Sequence, residues 1–170
     1  MTSAEAQIAS FFAKYDPATV KLGKALRAKL RARLPGLSEL VYVYESQKTL
    51  VISYSPTEHG HEGLCGFKLT PRSMELFFGQ GALLSKSDPN KLLQGSGKTT
   101  RHVVLNAIAD FNRPEIEVLM AAALKLAKVR LDARAKSSVI IKAEAQKQRA
   151  SRAKKAARPA SAARKAKARR

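Results

Sequence analysis

A glycine-rich turn at residues 95–100, with the sequence GSGKTT, is the part of this chain that most resembles a phosphate-binding loop. A complete P-loop carries another glycine five positions before the glycine of its Gly-Lys pair, so that successive backbone N–H groups can cradle phosphates. That position holds Leu92. The turn also follows a predicted short helix and precedes a predicted strand, which is not the strand-loop-helix order of a nucleotide site. We therefore do not expect nucleotide hydrolysis.

The same turn could still bind a small anion. Open backbone amides beside fixed cations favour a carboxylate or a phosphoryl group. The alternative is a solvated glycine turn, since turns with Lys and Arg are common on basic surfaces. The candidate anion-binding residues are Gly95, Gly97, Lys98, Arg101 and His102.

A second cluster, EHGHE at 58–62, places two imidazoles and two carboxylates near Cys65. Zinc or iron could use such ligands, but a closed site needs three or four well-placed ones. The segment offers neither a third histidine nor a second cysteine. We predict a solvated loop with no metal or cofactor, and Cys65 is expected to be a buried strand residue.

Catalytic and base-stacking arrangements are not indicated either. The sequence has no Gly-x-Ser-x-Gly elbow and no cysteine with an activating helical or cationic neighbour, so we expect a non-enzymatic protein. Aromatic residues in the predicted strands could stack on nucleic acid bases, although strand aromatics more often build a core. These residues are Tyr42, Tyr44, Tyr54, Phe67, Phe77 and Phe78.

Positive charge is concentrated late in the chain. Residues 134–170 hold fourteen Lys or Arg against a single acidic residue, Glu144, and carry net +13 of the chain's +19. Lys and Arg that neutralise phosphates release condensed counterions, so this tail predicts sequence-independent binding to DNA, RNA or another polyanion. A merely solubilising extension is the alternative. The expected phosphate contacts are Arg149, Arg152, Lys154, Lys155, Arg158, Arg164, Lys165, Lys167, Arg169 and Arg170.

Composition divides the chain into one domain at residues 1–133 and a basic tail at 134–170. The tail has little to bury except the short run Val139 to Ile141, so we expect it to be mostly disordered when free. No apolar stretch approaches the roughly 20 residues that span a bilayer, and the N-terminal residues do not resemble a signal peptide. We expect a protein of the cytoplasm, including the nucleoid, that does not insert into membranes.

Hydrophobic periodicity predicts the elements that position these groups. An apolar cluster before Tyr15 suggests a first helix, and Asp16-Pro17 is typical of the start of a second, which ends at Pro35-Gly36. Leucines at 22, 26, 30 and 34 form its buried stripe. The opposite side carries a possible secondary phosphate-binding patch of Lys24, Arg27 and Arg31.

The middle of the chain predicts strands. Two hairpins are expected at 39–54 and 64–78, a short helix at Asp88-Pro89 and a strand at 101–105. Asn112 and Pro114 resemble the start of a long helix with apolar residues from Ile116 to Leu131. The predicted fold class is α+β, an antiparallel sheet of about five strands packed against N- and C-terminal helices and followed by the basic tail.

Four segments, in this order, resemble the YdhG-like domain family. They are YDPAT at 15–19, ELVYVYESQKTLVISYSPTE at 39–58, CGFKLTPRSMELFFGQGALLSKSDPNKLLQGSGKTTRHVVL at 65–105 and FNRPEIEVLMAAAL at 111–124. The resemblance implies a small α+β domain with an antiparallel sheet, which agrees with the prediction from the residues. No active-site set accompanies it.

One branch of that family is described as a frataxin-like intracellular iron chaperone. Iron delivery relies on clustered carboxylates, whereas the acidic residues here are scattered and even residues 1–133 carry net +6. No iron-binding residue is therefore assigned. The first functional hypothesis is a binding module tethered to nucleic acid by a histone-like tail, and the alternative is a carrier or sensor of a small anion or a metal with an incidental tail.

Overall fold

The computed structural model describes residues 3–142. Its three α-helices are α1 (Ala4–Phe12), α2 (Pro17–Arg33) and α3 (Pro114–Leu126). Its strands are β1 (Ser38–Tyr44), β2 (Thr49–Ser55), β3 (Cys65–Leu69), β4 (Met74–Phe78), β5 (Arg101–Leu105) and β6 (Val139–Ile141). Short 3-10 helices lie at Glu45–Gln47, Gly60–Glu62, Gly81–Ser87 and Ile108–Asn112.

The six strands form one mixed sheet in the order β5-β4-β3-β2-β1-β6. Each consecutive pair of strands from β1 to β5 is antiparallel, as expected for a meander. The predicted α+β class is confirmed, and so are both predicted hairpins and the strand at 101–105.

Strand β6 is the element that the sequence did not predict. It pairs in parallel with β1, with Ile140 opposite Leu40, and so makes the sheet mixed. The N–H of Glu39 donates to the Ser138 carbonyl at 2.8 Å, and the N–H of Lys142 donates to the Val41 carbonyl at 2.7 Å. The described fold therefore continues to Lys142, past the boundary at 133 that charge had indicated. Disorder is predicted for most of residues 134–170. Within that range residues 139–141 form β6, and residues 143–170 lie outside the described residues.

The turn after α2 explains how the chain can return to this edge. Gly36 has φ +84, a backbone conformation that glycine adopts without strain. A Cβ at Gly36 would lie 2.6 Å from the Asp132 carbonyl oxygen, so the segment leading to β6 passes directly over this residue. The predicted helix stop at Pro35-Gly36 is confirmed, and the glycine also admits the approach of the C-terminal segment.

One face of the sheet forms the core with the helices. In the second hairpin alternate residues of β3 and β4 face the core, among them Phe67 and Leu76. The core also takes Leu26 and Leu30 from α2 and Ile116 from α3.

The structure confirms some of the predicted helix boundaries and not others. Asp16 caps α2 as predicted, with its side chain accepting the N–H of Thr19. No helix starts at Asp88-Pro89; the carboxylate of Asp88 instead accepts the N–H groups of Leu92 and Leu93 and holds a loop. Helix α3 is preceded by Arg113 rather than Asn112, and it ends at Leu126, short of the predicted Leu131.

A buried ion pair fixes α2 to the sheet. The guanidinium of Arg27 donates to the carboxylate of Glu39 at 2.6 Å, and their side chains are only 12% and 2% exposed. Tyr54 donates its hydroxyl to the same carboxylate at 2.8 Å, and Glu5 of α1 binds Arg27 from outside at 2.7 Å. Burial opposes the charged form of Arg27, yet the hydrogen bonds that Arg27 donates to the carboxylates of Glu5 and Glu39 raise its pKa overall. The network joins α1, α2, β1 and β2.

We predict that Glu39→Gln lowers the free energy of unfolding by about 3 kcal/mol, because removing one charge of a buried pair leaves the other poorly compensated. Urea unfolding at pH 7 measures this. The matched control is Glu45→Gln, which removes a carboxylate from an exposed pair with Lys14 and should have little effect. Equal losses in the two variants would contradict the assigned role of Glu39.

Candidate nucleic-acid interface

The basic segment leaves the fold at a fixed place. Residue 142 hydrogen bonds to β1, and β6 also contacts α1, so the chain enters residues 143–170 at the edge formed by β6 and α1. The ten tail residues predicted to contact phosphate lie outside the described residues. What the structure shows is their point of attachment.

Most carboxylates of the described residues form an ion pair or accept a backbone hydrogen bond. Ion pairs hold Glu5, Glu39, Glu45, Glu75, Glu115 and Glu117. Backbone N–H groups hold Asp16, Asp88, Asp110 and Asp132. These backbone bonds lower the pKa of Asp110, and bonds to Thr19 lower that of Asp16. Several cations, among them Lys98 and Lys128, have no ion-pair partner within residues 3–142.

The predicted secondary patch on α2 is wrong for two of its three residues. Arg27 is buried in the network with Glu39, and Arg31 binds Glu5 at 3.1 Å. Of these three residues, Lys24 alone is exposed and forms no ion pair within residues 3–142. Helical periodicity placed these side chains opposite the leucine stripe, but it could not show that α1 and the sheet would supply carboxylates there.

The turn at 95–102 lies along the outer side of β5. The backbones of Gln94 and His102 exchange hydrogen bonds of 2.7 and 3.0 Å, and Gly95 has φ +105 beside them. The guanidinium of Arg101 donates to the carbonyls of Gly97 and Thr100. Arg101 thus stabilises the turn itself, while Lys98 is exposed. Gly95, Arg101 and His102 lie close together, but residues 95–102 run along the outside of β5 without enclosing a site. We call this segment the strap.

The histidine cluster lies in the loop around a 3-10 helix. The rings of His59 and His61 stack with centroids 5.6 Å apart, and Nε2 of His61 lies 3.5 Å from a carboxylate oxygen of Glu62. Thr57 donates its hydroxyl to the same Glu62 carboxylate. Cys65 is buried in the core. Among residues 3–142 no group of three or more His, Cys, Asp or Glu is arranged to hold a metal ion.

The aromatic residues divide between the two faces of the sheet. Tyr54, Phe67 and Phe78 are buried in the core and cannot stack on bases. Tyr42 and Phe77 point to the other face and are half-buried, and Tyr44 is 38% exposed. Gly60 approaches the Tyr42 hydroxyl closely, so a loop covers part of that ring. Three of the six aromatic residues are therefore part of the hydrophobic core.

Comparisons of this chain with protein-family models, with curated proteins and with solved structures found no significant match. In the part of the chain that the structure describes, no helix is long and apolar enough to cross a membrane. The YdhG-like assignment stays a prediction from the sequence.

The environment of Cys65, the single cysteine of the chain, makes a direct prediction. Burial raises the pKa of its thiol to about 12, so little thiolate forms at pH 8 and the sulfur is shielded. A thiol reagent such as dithionitrobenzoate should react with the native protein at least about a hundredfold more slowly than with the unfolded chain. Rapid native labelling would show a thiol open to the histidine loop and available as a ligand.

Proposed function

We propose that this protein is a non-enzymatic binding module of the YdhG-like type, held on nucleic acid by its basic C-terminal segment. The observation that carries this proposal is strand β6. The strand attaches the start of the basic segment to the sheet, next to β1, so the charge is not simply appended to an independent domain.

Charge supports the proposal. After Lys142 the sequence contains eleven Lys or Arg and one Glu, a net +10 over 28 residues. Clustering of this kind binds phosphate backbones by counterion release and reads no base sequence. Since the carboxylates of the domain are largely held in ion pairs and caps, the fold does not provide a competing acidic surface for the tail.

Attachment at one edge has a consequence for the domain. The tail is attached at the edge formed by β6 and α1, whereas the strap beside β5 lies at the opposite edge of the sheet. When the tail lies on a phosphate backbone, β6 and α1 are therefore nearer to that backbone than the strap is. The module would therefore present its β5 side away from the polyanion. A location in the cytoplasm, on the nucleoid or on RNA, follows from this proposal.

A salt titration tests the proposal. If about seven phosphates are neutralised, log K for duplex DNA should fall with log salt at a slope of about −6. Replacing the ten predicted tail contacts by Gln should bring the slope close to zero and weaken binding at 50 mM salt by about three orders of magnitude. Single-stranded RNA and polyphosphate titrated in parallel would show which polyanion is preferred.

The matched control is the double variant Lys86→Gln, Lys98→Gln, which removes two exposed cations from the domain and leaves the tail intact. Its slope should change by less than about 0.9, the contribution of one phosphate contact, since the proposal places the phosphate contacts in the tail. A salt-independent affinity, or a tail variant that binds as well as the unaltered chain, would contradict the proposal.

A further inference from the structure

A groove at the end of the sheet offers a site that the basic tail does not involve. It has a volume of about 440 Å³ and lies between the first half of α2, the turn joining β3 to β4, and the end of β5. Small-molecule sites commonly occupy about 300 to 1,000 Å³, so the groove is large enough for one small ligand.

The floor of the groove is apolar. It is lined by Leu22 and Ala25 from α2, by Leu69 and Met74 from the β3–β4 hairpin, and by Leu105 from β5. These side chains belong to the edge of the hydrophobic core, and Leu22 is only partly buried. Leu69, Met74 and Leu105 are already buried, so a ligand with an apolar body would gain free energy by covering the partly exposed Leu22 and Ala25.

The rim is cationic. Lys21 of α2 and Arg72 of the β3–β4 turn both line the groove and are exposed, and neither forms an ion pair within the described residues. The groove lining includes the polar side chains of Thr19, Ser73 and Asn106, but no carboxylate of the described part of the chain. An anionic head group would therefore meet two free cations and several hydrogen-bonding groups.

Carboxylates close in sequence to the groove are already engaged. Asp16 accepts the N–H of Thr19, Glu75 binds Lys68 at 3.1 Å, and Asp110 accepts the N–H of Asn106 at 2.8 Å. None of the three carboxylates forms an ion pair with Lys21 or Arg72. The cations remain available to a ligand.

We propose that this groove binds a small organic anion, with its carboxylate, sulfonate or phosphate between Lys21 and Arg72 and its apolar body on the Leu22–Met74 floor. The site goes beyond the proposed tethering function and does not depend on it. It also differs from the turn at 95–102, whose Arg101 is occupied by backbone carbonyls.

Two fluorescent probes test the site on the full chain. Anilinonaphthalene sulfonate joins an apolar ring system to one anionic group, and N-phenylnaphthylamine has the rings without the charge. The double variant Lys21→Gln, Arg72→Gln should weaken binding of the sulfonate by about tenfold or more, since two charge-assisted contacts are lost. Binding of the uncharged probe should change less than about twofold.

The control is again Lys86→Gln, Lys98→Gln, which lowers the charge equally outside the groove. It should leave the affinity for the sulfonate within about twofold. Because both double variants keep the same tail, any attraction of the tail for the sulfonate cancels when the two variants are compared. Ala25→Leu should fill the floor and weaken both probes, with circular dichroism confirming the fold. The proposal is overturned if the sulfonate does not bind, if both double variants weaken it equally, or if Ala25→Leu affects neither probe.

Discussion

The ion pair between Arg27 and Glu39 is the interaction on which the rest of the arrangement depends. Removing two charges from water is costly, so they persist only with complete partners, here Tyr54 from β2 and Glu5 from α1. Glu39 has a second role, because its backbone N–H holds the residue before β6. One residue therefore connects the packing of α2 on the sheet with the attachment of the C-terminal segment.

The chain has two parts that differ in how their charges are compensated. Within the fold, most carboxylates are held in ion pairs or accept backbone N–H groups, and residues 1–133 carry only net +6. Beyond residue 142, eleven of the twelve charged residues are Lys or Arg, and such charge is compensated best by an external polyanion. The short β6 lies where these two parts meet.

Much of the fold could be predicted from the sequence, because its signals are local. Asp16-Pro17, the leucine stripe and the two hairpins depend on neighbouring residues, and each was confirmed. Strand β6 could not be predicted, since it has three apolar residues in a Lys- and Ala-rich stretch and its partner β1 lies about a hundred residues earlier. The role of Arg27 was hidden for the same reason, because its partner Glu39 comes from another element. Lys21 and Arg72 likewise meet only through the fold.

The most direct test of the central claim is a map of contacts between the full chain and a short photo-crosslinking oligonucleotide, read by mass spectrometry. The account predicts cross-links in residues 143–170 and in the neighbouring edge formed by β6 and α1. Cross-links concentrated around β5 and the strap at 95–102, with none in the basic segment, would contradict it.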